Sequence, residues 1–218
     1  MKVIIAILTL AVFQSAAHGE TATFDDAKAG SGKAPAGWTT AITGKSKPAW
    51  SIEKVDDAPS KPNVLKQSAE TPRASFPLCV HASAVFTDGR VEVKFKALSG
   101  KVDQAGGLVW RYTDPNNYYV CRANALEDNV VLYKVEKGKR SSLEIVGRKG
   151  GYGVKAKVPP RKWNTLRVDF KGPRFTVSLN GKELFKVDDA TFSKAGKVGL
   201  WTKADSVTLF DDFNYGGK

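Results

Sequence analysis

The chain has 218 residues, a formal net charge of +12, 10% aromatic side chains and only two histidines. That length suits one domain with a sizeable core. With His81 the only histidine beyond residue 20, and two cysteines, Cys79 and Cys121, the chain excludes an HExxH helix and Cys/His zinc spacings. It also carries no GxSxG elbow and no Walker or dinucleotide glycine motif, so nucleotide and serine-triad chemistry have no footing.

Residues 1–19 read as a secretory leader. Met1 and Lys2 form a basic start, 3–13 is apolar, and 15–19 is small and weakly polar. Cleavage is expected after Gly19, with Ala17 close behind. The apolar run is too short to span a bilayer, and no later stretch is longer. The expectation is an exported chain, periplasmic or extracellular, with one domain over 20–218. An oxidising compartment permits a Cys79–Cys121 disulfide; two buried free thiols are equally consistent with their apolar surroundings.

The elements follow in chain order. A first strand is expected over 21–26, then a Gly-, Ala-, Lys- and Pro-rich loop over 27–37. Short strands follow over 50–55, 64–67, 74–81 and 90–97. In the last of these, Val91, Val93, Phe95 and Ala97 alternate with Glu92, Lys94 and Lys96, the pattern of a sheet with one wet side. Strands over 106–112, 118–123, 130–135 and 142–146 come next, and 149–160 reads as a loop. Strands over 164–171 and 174–179 flank Gly172-Pro173, and Asn180-Gly181 is a strong hairpin signal leading into 182–187. Strands over 196–202 and 206–213 close the chain, after a single helical turn over 189–194. A dozen short strands without intervening helices predict an all-β, antiparallel two-sheet sandwich.

The segment 106–124, GGLVWRYTDPNNYYVCRAN, is the richest in chemistry. Pairing Arg111 with Val120 would put Val109, Arg111, Val120, Arg122 and Asn124 on one face. Leu108, Trp110, Tyr112, Tyr119, Cys121 and Ala123 would line the core. Aromatic rings cover the apolar side of a pyranose while Arg and Asn bond its hydroxyls. Arg111, Tyr118, Arg122, Asn124 and Lys203 are therefore the candidate sugar contacts, on a sheet supported by Trp110 and Tyr119. The loop 124–129 carries Glu127 and Asp128. With Asp103 these are the carboxylates available for acid–base catalysis.

The runs 163–187 and 196–215, together with 106–124, resemble a family. The first two are similar to the closing half of a laminin G-like, concanavalin A-like jelly roll. The third is similar to bacterial domains called 3-keto-disaccharide hydrolases, related in fold to family 16 glycoside hydrolases. The resemblance runs from about Phe24 to Tyr215. It implies two curved sheets with a concave face that receives a glycan, and an enzyme acting on a sugar derivative as the rival function. It also implies a structural calcium on the convex side, with Asp212 as a ligand and Asp26 as its partner acid. The family 16 carboxylate strand is missing: the chain reads VEVKFK over 91–96, so that retaining pair is not carried over.

The positive charge is concentrated. Residues 134–174 hold 13 Lys or Arg against three acids. In an exported protein such a field favours an acidic polysaccharide or anionic lipid surface over nucleic acid. The partner expected on all these grounds is a carbohydrate, acidic or neutral.

Overall fold

The computed structural model describes residues 19–217, so the expected leader lies outside the described residues apart from Gly19. Every regular element among them is a strand. The first six are β1 (Glu20–Ala22), β2 (Trp38–Thr43), β3 (Trp50–Lys54), β4 (Asn63–Gln67), β5 (Phe76–Phe86) and β6 (Gly89–Ser99). Then come β7 (Ala105–Asp114), β8 (Asn117–Asn124), β9 (Asn129–Glu136), β10 (Lys139–Ser142) and β11 (Val154–Lys155). The last five are β12 (Asn164–Lys171), β13 (Arg174–Leu179), β14 (Lys182–Asp188), β15 (Gly196–Trp201) and β16 (Val207–Gly217).

Two eight-stranded antiparallel sheets face each other. The first runs β14-β13-β12-β6-β16-β4-β3, with β1 on β16; the second runs β10-β9-β8-β7-β15-β5-β2, with β11 on β9. The inner rows are apolar because period-two alternation sends every second side chain inward. Val91, Val93 and Phe95 of β6 meet Leu108 and Trp110 of β7 and Tyr119 and Cys121 of β8 in one cluster. Trp110 is fully buried and lies against Tyr119, Phe170 and Phe175, with ring centroids 5.5, 6.1 and 5.2 Å away. Lys96, expected on the wet side, is nevertheless buried, its ammonium 2.6 Å from Asp57 and over the Trp163 ring.

Asn180-Gly181 forms the expected two-residue hairpin between Leu179 and Lys182. Both residues have positive φ, 50° and 80°, as a type I′ turn requires. Three expectations are corrected. β2 falls where no strand was expected: it is a half-exposed edge strand paired only with β5, so burial left a weak imprint on its sequence. The stretch 189–194 contains no helical turn. The strand expected over 142–146 is displaced to β10, after which Ile145 makes a single bridge to Val187.

The cysteines are both free and both buried. Their positions explain why. Cys79 pairs with Leu200, Leu200 with Leu108, and Leu108 with Cys121, so two strands separate them. Three inter-strand steps amount to about 14 Å, well beyond disulfide reach. Burial pushes both thiols up from their ordinary range. A thiol reagent should leave the native protein unlabelled and modify both cysteines in denaturant. Labelling of one of them at native rates would contradict this packing.

Asp211 behaves in the opposite sense to most carboxylates. It is fully buried on β16, and burial pushes its pKa up to about 6 despite bonds from Ser60 and the Asp212 amide. The folded state therefore binds this proton more tightly than the unfolded chain. Its contribution to stability is greatest below the unfolded value and declines as pH rises toward 6. The stability of Asp211→Asn relative to wild type should rise steadily between pH 4 and 6, as the wild-type carboxyl ionises and the amide does not. A difference in melting temperature that does not change with pH would contradict the assignment.

Candidate functional site

The outward row of the second sheet is readable from the register. Val109 pairs with Val120 and Gly107 with Arg122; Tyr133 lies opposite Val120 and Val131 opposite Arg122; Trp201 lies opposite Gly107 and Leu78. Tyr118, Val120, Arg122 and Asn124 of β8 therefore share this face with Tyr133 of β9, Trp201 of β15, and Phe76 and Leu78 of β5. Apolar members of this row form a second cluster, separate from the inter-sheet core. Gly107 leaves room for it: a Cβ there would come within 3.1 Å of the Trp201 ring.

Arg122 is fully buried and is the hub of this face. Its Nε donates to Tyr133 OH at 3.2 Å and its Nη1 to Asn129 Oδ1 at 3.1 Å. Its Nη2 donates to Glu127 Oε2 and to Tyr152 OH, both at 2.9 Å. The two phenols are also hydrogen-bonded to each other. Asn129 Nδ2 closes the ring by donating to Glu127 at 2.8 Å. Burial alone would raise the Glu127 carboxyl, but the Arg122 bond and charge, with Asn129 and Lys203, hold it below the usual carboxylate range. Glu127 is therefore an anion at neutral pH with 39% of its side chain open to solvent. Burial pushes the Tyr133 phenol up, against the pull of Arg122.

A second knot lies beside it. Asp103 is fully buried; it accepts from Asn124 Nδ2 at 2.5 Å and from Lys203 Nζ at 2.5 Å. Asn124 Oδ1 in turn accepts from the Leu126 amide, which shapes the loop that carries Glu127. The structure thus brings together Arg122, Asn124, Lys203, Glu127 and Asp103, residues spread over 100 positions of sequence. Asp103 is already committed to two cationic or amide donors, which leaves Glu127 as the solvent-facing carboxylate of the pair.

Two expectations about this face are overturned. Arg111 does not lie on it. The register slips between Trp110 and Asp114, and Arg111 sits in the bulge with φ 47°. A bulge inserts an unpaired residue and breaks the alternation. Arg111 therefore turns toward the inter-sheet side, over the Phe175 ring, and donates to the carbonyls of Thr87, Phe192 and Gly172 and to Asp88. Tyr112, expected in the core, comes out onto the outer face beside Tyr118. Asp128 has a structural partner: its Oδ1 accepts from the Val158 amide at 2.9 Å and it pins the following loop.

Tyr118 is on the outer face, as expected, but fully buried. Thr43 donates its hydroxyl proton to Pro115 O at 2.5 Å, so the 2.6 Å contact between Thr43 and Tyr118 has the phenol as donor. Asp26 and Asp212, the expected calcium ligands, belong to the other side of the molecule. Asp212 lies in β16 of the first sheet and its carboxylate accepts from the Lys94 ammonium at 2.7 Å, while Asp26 is exposed. Among the described residues no group of three or more acidic, His or Cys side chains is placed to hold a metal ion. The basic segment 134–174 is split between the two sheets, and Lys134, Arg167 and Arg174 in it are ion-paired.

Tyr133, Tyr152 and Asn129 were not among the expected site residues. Tyr133 alternates within β9 like any strand residue, and Tyr152 sits in a Gly-rich loop where periodicity carries no information.

Among solved structures the chain is similar to the carbohydrate binding module CBM66 from Bacillus subtilis. The TM-score is 0.62 at 21% identity, over 81% of this chain and 93% of that one. It is also similar to a cellulose induced protein (0.60, 12% identity, 82% and 90% covered) and to a protein of unknown function with a galectin-like fold from Bacillus subtilis (0.53, 13% identity, 82% and 88% covered). At these identities the likeness concerns the fold alone. No curated protein matches the chain in sequence. The sandwich just described is that of a carbohydrate-related family: with residues 19–214 matched, the chain belongs to the 3-keto-alpha-glucoside-1,2-lyase-like domains.

Proposed function

We propose that this domain binds a carbohydrate on the outer face of the second sheet, over the Arg122 network. The observation that carries this reading is the joining of Arg122, Glu127, Asn129, Tyr133 and Tyr152 into one hydrogen-bonded ring beside Asp103, Asn124 and Lys203. All three nitrogens of Arg122 donate to protein, so it acts by positioning. The groups offered outward are the Glu127 carboxylate, an acceptor for sugar hydroxyls, and Tyr152, whose ring is half exposed and suited to the apolar side of a pyranose. The CBM66 neighbour and the family supply independent support for a sugar ligand.

Calorimetric titration with neutral gluco-oligosaccharides tests it. Glu127→Gln and Tyr152→Phe should each weaken binding about tenfold, the worth of a hydrogen bond to a charged group or of a lost bond in a shared network. Two variants that bind as tightly as wild type would remove the sugar from this site.

The family favours a second reading, elimination from a 3-keto glycoside. A ketone at C3 acidifies the C2 hydrogen. Removal of that proton by a base forms the C1–C2 double bond as the C1–O bond breaks, and the departing oxygen takes up a proton. Glu127 is the solvent-facing base, and the Tyr152 phenol is the donor beside it. Release of 4-nitrophenol from its 3-keto-glucoside would report the reaction. Turnover that survives Glu127→Gln unchanged would exclude this role for the carboxylate.

A further inference from the structure

We infer that residues 147–153 form a strap over the sugar site, with Tyr152 as its clasp and Arg148 as the positioning residue that keeps it shut. The inference rests on the reading of this face as a sugar-binding surface and adds how that surface is switched on. The strap joins two fixed points. On its N-terminal side the Val146 amide donates to Lys186 O at 2.9 Å and Ile145 bridges to Val187. On its C-terminal side β11 pairs with β9, Val154 opposite Val130.

Between these points little holds the chain down. Residues 146–152 are all exposed, and 149–152 make no backbone–backbone hydrogen bond among the described residues. A segment with few buried contacts and no backbone bonds opens at low free-energy cost. Two side-chain contacts keep it closed. The Tyr152 phenol accepts from Arg122 Nη2 at 2.9 Å and is bonded to the Tyr133 hydroxyl. Arg148 Nη2 donates to Gly153 O at 2.7 Å, across the base of the loop. Gly151 makes room for that guanidinium: a Cβ there would lie 3.2 Å from Arg148 Nη2. Gly150, with φ 63° and nothing within 4 Å of an added Cβ, turns the chain without packing against anything.

Closed, the strap holds the half-exposed Tyr152 ring beside Glu127, since both side chains accept from the same Arg122 nitrogen. Open, the ring leaves and Glu127 loses its stacking neighbour. Only the closed state therefore binds, and apparent affinity scales with the closed fraction. Arg148 acts through Tyr152 and not on the sugar.

Two measurements test the strap. Fluorine NMR of the fluorotyrosine-labelled protein, with the Tyr152 signal identified from Tyr152→Phe, reports the clasp. Arg148→Ala should shift or broaden that signal, and excess gluco-oligosaccharide should restore it. Calorimetric titration with the same neutral sugar reports affinity. Arg148→Ala should bind about fivefold more weakly, the scale of one lost hydrogen bond, at an unchanged melting temperature. Lys149→Ala, an equal loss of charge from an exposed residue of the same strap, should bind like wild type. In a Tyr152→Ala background, Arg148→Ala should cause no further loss, because a strap without its clasp has nothing to position. Full affinity in Arg148→Ala, a Tyr152 signal it leaves in place, an equal loss in Lys149→Ala, or a further loss in Tyr152→Ala would each overturn the strap and leave the Arg122 site standing. A wild type that binds none of these sugars would overturn the reading of the whole face, and the role of the strap with it.

Discussion

Arg122→Ala should abolish carbohydrate binding and lower the melting temperature by about 10 °C. The replacement strands Asn129 Oδ1, Glu127 and two phenols that accept from a single buried guanidinium. Removing one partner from a buried, hydrogen-bonded charge network costs about 3–5 kcal/mol, and in a domain of this size each kcal/mol moves the midpoint by about 2–4 °C. The loss of binding has a separate cause: Glu127 and Tyr152 keep their chemistry but lose the atom that aims them. Glu127→Gln should bind weakly and lose less stability than Arg122→Ala, because its side chain is partly solvated and the amide oxygen still accepts from the guanidinium. Retention of full affinity in folded Arg122→Ala would show that the network does not organise the site.

Arg111→Ala is the contrasting case. Its stability loss should match that of Arg122→Ala, about 3–5 kcal/mol, with sugar affinity of the folded protein unchanged. The Arg111 side chain is 1% exposed and ties together the turn at Thr87 and Asp88, the turn at Gly172 and the segment at Phe192. Without it three carbonyls and a carboxylate lose their donor, and the three segments lose the side chain that ties them together. Chemical denaturation followed by titration of the native protein separates the two effects. A drop in affinity with no loss of stability would return Arg111 to the binding face and contradict the bulge.

The pair of arginines shows how far local pattern carries. Strict alternation over 106–124 assigns Arg111 and Arg122 to one side, and for Val109, Val120, Arg122 and Asn124 it holds because the ladder is regular there. It fails at one residue, where Arg111 adopts positive φ and Tyr112 after it comes out onto the outer face. The cost of that strained conformation is offset by four acceptors contributed from segments 23 to 81 residues away. No property of the WRYT segment records those partners.

The site divides along the same line. Asn124 to Asn129 is a short loop, so the closeness of Glu127 to Arg122 is a matter of a few residues and is legible from chain order. The approach of Lys203 to Asp103 depends on β15 lying next to β7, and that of Tyr152 to Tyr133 on the Gly-rich stretch 150–153 folding over the same face. The cysteines make the same point: their apolar surroundings foretold burial, but only strand order placed two strands between them.

Residue order alone thus determined the all-β class, the Asn180-Gly181 hairpin and the inward rows, because alternation and turn chemistry act between neighbours a few residues apart. Strand order, the bulge and the meeting of distant side chains were decided by packing. Their energy comes from burying surfaces and satisfying polar groups between segments far apart in the chain, and no local stretch encodes its distant partner.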